Sequence, residues 1–166
     1  MAAPSPEQLA DLSLDLQVEI HKLQRLIGGI QELGPLAEDP LRVDAAALRL
    51  QSLYTGIERC LVQISRVLNG GSGEGAEWHR RLLERMGQPT VRRPAVLSPA
   101  TIADLQELLR FRHLVRHLYA YELRPEPVER LRCQALTVWP RVKVDLERFR
   151  RWLATGPGDG DAETRS

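Results

Sequence analysis

The chain has 166 residues and a mass of 18.8 kDa, with 43% hydrophobic and 27% charged side chains. That is enough for one domain with its own core and too apolar for a disordered polymer. The net charge is +1, no apolar run approaches the roughly 20 residues that span a bilayer, and Cys60 and Cys133 form no CxxC pair, which excludes a membrane span and a disulfide framework. Both cysteines read as small core residues. The first 21 residues carry Glu7, Asp11, Asp15 and Glu19 but no basic side chain, the reverse of a targeting segment, so the cytoplasm is the expected compartment.

Ser5-Pro6-Glu7-Gln8 reads as a helix opening, with Ser5 as cap, Pro6 at the first helical position and Gln8 completing a capping box. From there Leu9, Leu12, Leu16, Ile20, Leu23, Ile27 and Ile30 make one apolar stripe up to Gly34-Pro35, predicting helix one over Pro6–Leu33. Asp39-Pro40 reads as a break, and a second pattern starts at Asp44 and runs through Leu48, Leu50, Leu53, Ile57, Leu61, Ile64 and Leu68 to Asn69-Gly70-Gly71. After a glycine-rich loop, Ala76–Met86 predicts a short satellite helix with Trp78, Leu82, Leu83 and Met86 buried. Residues 88–97 read as an extended crossing segment. Ser98-Pro99 repeats the helix opening, and helix four is predicted over Pro99–Leu123. Arg124-Pro125-Glu126-Pro127 reads as a turn, and Val128 to Leu153 as a last helix that Pro140 should kink. Residues 156–166 are Gly, Asp and other polar residues, a tail with nothing to pack. The expectation is one all-α domain over residues 1–155, an antiparallel four-helix bundle with an extra short helix between helices two and four.

The charge is divided unevenly. Residues 1–78 hold 6 basic and 11 acidic side chains, residues 79–152 hold 16 and 8, and Arg outnumbers Lys by 21 to 2. An Arg-rich surface suits bidentate phosphate recognition, and an Arg-rich genome would give the same bias with no such meaning. Within helix four, Arg110, Arg112, His113, Arg116 and His117 fall in eight positions, with no acid between Leu108 and Tyr121. On a wheel of ~100° per residue with Arg112 at zero, Arg116 lies at ~40°, His113 at ~100° and His117 at ~140°, while Leu114, Val115 and Leu118 take the opposite side. Ala120 falls within the basic arc, and Tyr119 lies ~20° around from Arg112. Such a face has the parts for phosphodiester cleavage: Arg stabilises charge on the phosphate, and His titrates near neutral pH as acid or base. A basic face that is simply solvated fits the composition as well.

Arg112, four intervening residues, His117, one residue and Tyr119 resemble the R-x4-6-H-x-Y signature of the HEPN superfamily, specifically the HepT-like ribonuclease toxins of prokaryotic toxin–antitoxin pairs. The resemblance takes in Leu53-Tyr54-Thr55-Gly56-Ile57-Glu58-Arg59 and Glu77-Trp78-His79, from about helix one to Leu153. It implies an all-α bundle and a metal-independent endoribonuclease, with Arg112 and His117 as the catalytic pair and His113 orienting the site. It further implies a homodimer whose two motif helices form one composite cleft. The implied partners are RNA, tRNA among the candidates, and a minimal nucleotidyltransferase antitoxin that transfers AMP to Tyr119. Tyr121, two residues on, competes with Tyr119 as acceptor, and Arg116 and Arg110 are candidate RNA contacts. The competing reading is a non-catalytic helical adaptor that dimerises and binds a nucleotidyltransferase or nucleic acid.

His79 beside Trp78 suits stacking on a nucleobase, against a tryptophan that anchors the satellite helix with His79 at its solvent edge. Glu58 can pair with an Arg near the motif, orient a catalytic side chain, or form a surface ion pair. His21 is isolated and has no assigned role. No Cys/His cluster, HExxH or paired-carboxylate motif occurs, and the glycine-rich loop lacks the GxxxxGK[ST] pattern, so no metal and no cofactor are expected.

Overall fold

In the computed structural model, which describes residues 2–71, 73–115, 117–118 and 122–156, the capping box at Ser5 forms: Gln8 N–H donates to Ser5 Oγ, and Ser5 N–H to Gln8 Oε1. Helix α1 runs Pro6–Glu32. Helix α2, Pro40–Leu68, starts four residues before the expected Asp44. Asp39 caps it by accepting from Leu41 N–H, and Pro40 takes the first helical position. The dipeptide read as a breaker therefore opens the helix, because proline's missing N–H costs nothing there. The same reason moves the last boundary: α5, Pro125–Thr155, begins inside the predicted turn, with Pro125 and Pro127 in its first turn. It runs uninterrupted through Pro140. Helix α3 is Trp78–Met86 and α4 is Pro99–Val115. Residues 157–166, expected as a tail, lie outside the described residues.

The described residues are thus helical with no strand beyond an isolated bridge between Thr90 and Arg93, and no described helix is long and apolar enough to cross a membrane. Helices α2 and α5 are central: each packs on α1, on α4 and on the other, while α3 lies against α2 and α4. The expected stripes form the core, with Leu16, Ile30, Leu50, Ile57, Leu61, Ile64 and Phe149 nearly or fully buried, except that Leu48, expected in the α2 stripe, is exposed. Cys60 is buried among them, and burial, followed by the charge of Glu19, pushes its thiol up to about 12. Cys133 is exposed. Its position on α5 turns it outward beside Glu129, which corrects the expectation of two core cysteines.

Polar staples set how the helices meet. Asp145 of α5, 4% exposed, accepts from Ser98 N–H at 2.9 Å and so holds the start of α4. Glu129 of α5 accepts from Leu36 N–H at 3.1 Å and pairs with Arg132 at 2.7 Å, tying α5 to the α1–α2 connection. The Arg132 hydrogen bond holds the Glu129 carboxyl below its ordinary range, outweighing desolvation. A depressed carboxylate stabilises the fold above its unfolded value and loses that contribution as pH falls through the lowered folded value. Glu129→Gln is accordingly expected to cost about 1 kcal/mol at pH 7. The gap to the parent chain begins to narrow below about pH 4, where the unfolded carboxyl takes its proton, and closes as pH falls through the lowered folded value. Urea titrations at pH 7 and pH 3 measure it, and an equal gap at both would remove the charge from the account.

Candidate nuclease site

Helix α4 ends at Val115, eight residues before the expected Leu123. His117 instead lies in the turn that follows, where its N–H donates to Leu114 O at 3.1 Å and Leu118 N–H to Val115 O at 3.2 Å. The wheel position given to His117 therefore does not hold, although the residue stays at the C-terminal end of α4 and is exposed. Leu114, expected on the buried side, is also exposed. Arg116, Tyr119, Ala120 and Tyr121 lie outside the described residues. Arg110 and His113 are on α4 and exposed. The helix end suits its cations, since the carbonyl end of a helix carries partial negative charge.

Arg112 is half-buried, and its guanidinium meets an aromatic ring. Its guanidinium carbon lies 5.9 Å from the centroid of the Tyr54 ring, from α2. A cation over a ring face is attracted without using its N–H donors, and the buried Arg112 Nη1 has no hydrogen-bond partner. Nη1 is thus placed with its own N–H donors uncommitted. Arg112 also lines a groove of about 430 Å³ between α1 and α2, shared with Lys22, Arg59 and Glu19. Glu19 pairs with both of those cations, at 3.2 and 3.4 Å. Tyr54 is 1% exposed, and burial, then the charge of Glu58, hold its hydroxyl far above the usual range against a smaller pull from Arg112. Tyr54 is a neutral floor under a cation.

His79 is buried, not at the solvent edge, and its Nδ1 is hydrogen-bonded to Glu58 Oε2. Glu58 is 7% exposed, so it is not a surface ion pair. The His79 ring stacks on Trp78 at 3.8 Å between centroids and 30° between planes. It meets the His113 ring edge-on at 5.6 Å and 79°. Two motif residues therefore have neighbours from other helices: Arg112 has Tyr54, and His113 has His79. The sequence reading gave Tyr54 no role, although a clue was present. Tyr54 and Glu58 are four apart on α2, a polar pair set within the Leu50, Leu53, Ile57, Leu61 stripe.

An all-α bundle with an Arg/His motif gathered at one helix end, over a floor supplied by its central helix, defines a HEPN-type helical protein. The family model described as HepT-like protein matches residues 45–153, α2 to the last turn of α5 with the whole motif inside. The chain belongs to the HepT-like protein family. Helix α1 precedes the matched span. No curated protein and no solved structure matches the chain.

Proposed function

We propose that this chain is a metal-independent endoribonuclease, the toxin of a prokaryotic toxin–antitoxin pair. The observation that carries the reading is Arg112, held on the Tyr54 ring with Nη1 unbonded, with an exposed His117 in the turn that follows its helix, in a chain of the HepT-like family. Arg112 binds the scissile phosphate and stabilises the charge that grows on it as the ribose 2′-hydroxyl attacks phosphorus. One group must accept the 2′-hydroxyl proton and another must protonate the departing 5′-oxygen. His117 supplies one of these, and the same residue of a second copy supplies the other across a composite cleft. The products are a 2′,3′-cyclic phosphate and a 5′-hydroxyl end. Transfer of AMP to Tyr119 by a nucleotidyltransferase antitoxin would set a phosphate and a base beside the motif and block RNA entry.

The test is cleavage of total RNA and isolated tRNA in EDTA by the parent chain and His117→Ala, with end-group analysis. Cyclic-phosphate products that survive EDTA and fall by about 10²–10⁴ in rate without the imidazole support the assignment. No cleavage, with RNA or nucleotidyltransferase binding retained, replaces the enzyme with the helical adaptor. A sedimenting mass of one 18.8 kDa chain at working concentration removes the composite cleft.

A further inference from the structure

A buried carboxylate is stable only where its lone pairs are met by donors. Glu58, on α2, is met by His79, on α3. A carboxylate is acceptor-only, so the hydrogen bond places a proton on His79 Nδ1 and fixes the orientation of the ring. That ring cannot rotate freely for a second reason, because Trp78 lies against it at 3.8 Å. What the fixed ring then touches is His113, two residues from the end of α4.

We propose that Glu58 and His79 are a buried positioning pair, which sets the imidazole of His113 through ring contact and so lets α2 and α3 shape the reactive end of α4. His79 is 9% exposed and does not touch substrate in this account. It acts through His113. The inference rests on the ribonuclease reading for its catalytic consequence only, since the orientation of His113 is a property of the folded chain.

Three variants of the full chain separate positioning from simple packing. Glu58→Gln keeps an oxygen acceptor but removes the charge. His79→Asn keeps an N–H near the Nδ1 position for Glu58 and removes the ring. His79→Phe keeps a ring between Trp78 and His113 and leaves Glu58 without its donor. The primary readout is the long-range ¹H–¹⁵N spectrum of the four histidines at fixed pH, with far-ultraviolet circular dichroism to show that each variant is folded. In Glu58→Gln and His79→Asn the His113 resonances are expected to move while those of His21 stay in place. His113 resonances unchanged in both folded variants overturn the proposal. In the cleavage assay, His79→Asn is expected to lower kcat about 10- to 100-fold with KM nearly constant, as misplacement of a reacting group does. A raised KM with unchanged kcat would also overturn it. If the parent chain cuts no RNA, the ribonuclease reading fails by itself and the His113 resonances still decide the pairing.

Discussion

Arg112→Ala is expected to slow RNA cleavage by about 10²–10³-fold, the loss typical of removing a donor aimed at charge that develops in the transition state. The effect should fall mainly on kcat, because the contact tightens as the phosphate gains charge. Arg112→Lys should recover little of it. An ammonium offers no planar fork for two phosphate oxygens and is more strongly hydrated, so it gains less from a ring beneath it. Tyr54→Leu keeps the guanidinium and removes the floor at 5.9 Å, and its loss should lie between the parent and Arg112→Ala. Single-turnover rates on one defined RNA give all three values. Arg112→Ala cutting at the parental rate would take the site away from this helix end. Arg112→Ala and Arg112→Lys should remain folded, since a cation over a ring face is worth only about 0.5–2 kcal/mol, while Tyr54→Leu also removes packing at a buried position and is paired with circular dichroism to show that it is folded.

The largest stability loss from one polar residue is expected at Arg93, in the segment between α3 and α4. Its side chain is buried at 2% exposure and is met by no carboxylate among the contacts that hold it. Nε donates to Asn69 Oδ1 at 2.9 Å, Nη1 to Gln88 O and Pro94 O at 3.0 Å, and Nη2 to Arg85 O at 2.9 Å. Burial, and then the nearby charge of Arg85, lower its pKa, but a guanidinium remains charged at any working pH. One side chain therefore joins the cap residue of α2, the last turn of α3 and the crossing chain. Arg93→Met fills much of the volume and leaves four acceptors unmet, at about 1 kcal/mol or somewhat less for each. With roughly 2–4 °C lost per kcal/mol in a chain of this size, the melting temperature should drop by about 10 °C. Thermal unfolding followed by circular dichroism measures it. A drop below about 2 °C would mean that water replaces the guanidinium without loss.

Two kinds of information were involved, and Ser98, His79 and Cys133 show the difference. Ser98-Pro99 announces a helix by local chemistry, and α4 starts there. The same sequence shows no sign that Asp145, 47 residues later, accepts from Ser98 N–H and decides where that helix lies. His79 reads as the solvent edge of the Trp78 helix because its burial depends on a carboxylate that its own helix does not supply. Its partner is Glu58, 21 residues earlier on another helix. Cys133 sits one residue from the buried Arg132, so a small shift in the packed face of α5 turns it out.

What the sequence by itself determined is the class of helices, the apolar stripes that bury them, the caps at Ser5 and Ser98, and the grouping of Arg112, His113 and His117 at one stretch of chain. These depend on neighbours within one or two turns, which periodicity and capping rules read directly. Only the tertiary structure decided that α4 stops at Val115, that Tyr54 lies under Arg112, and that Glu58 and His79 stand behind His113. Those outcomes depend on which helices meet and at what depth. A carboxylate, an imidazole or a guanidinium is buried only where a distant segment supplies its partner, and sequence spacing carries no record of that distance.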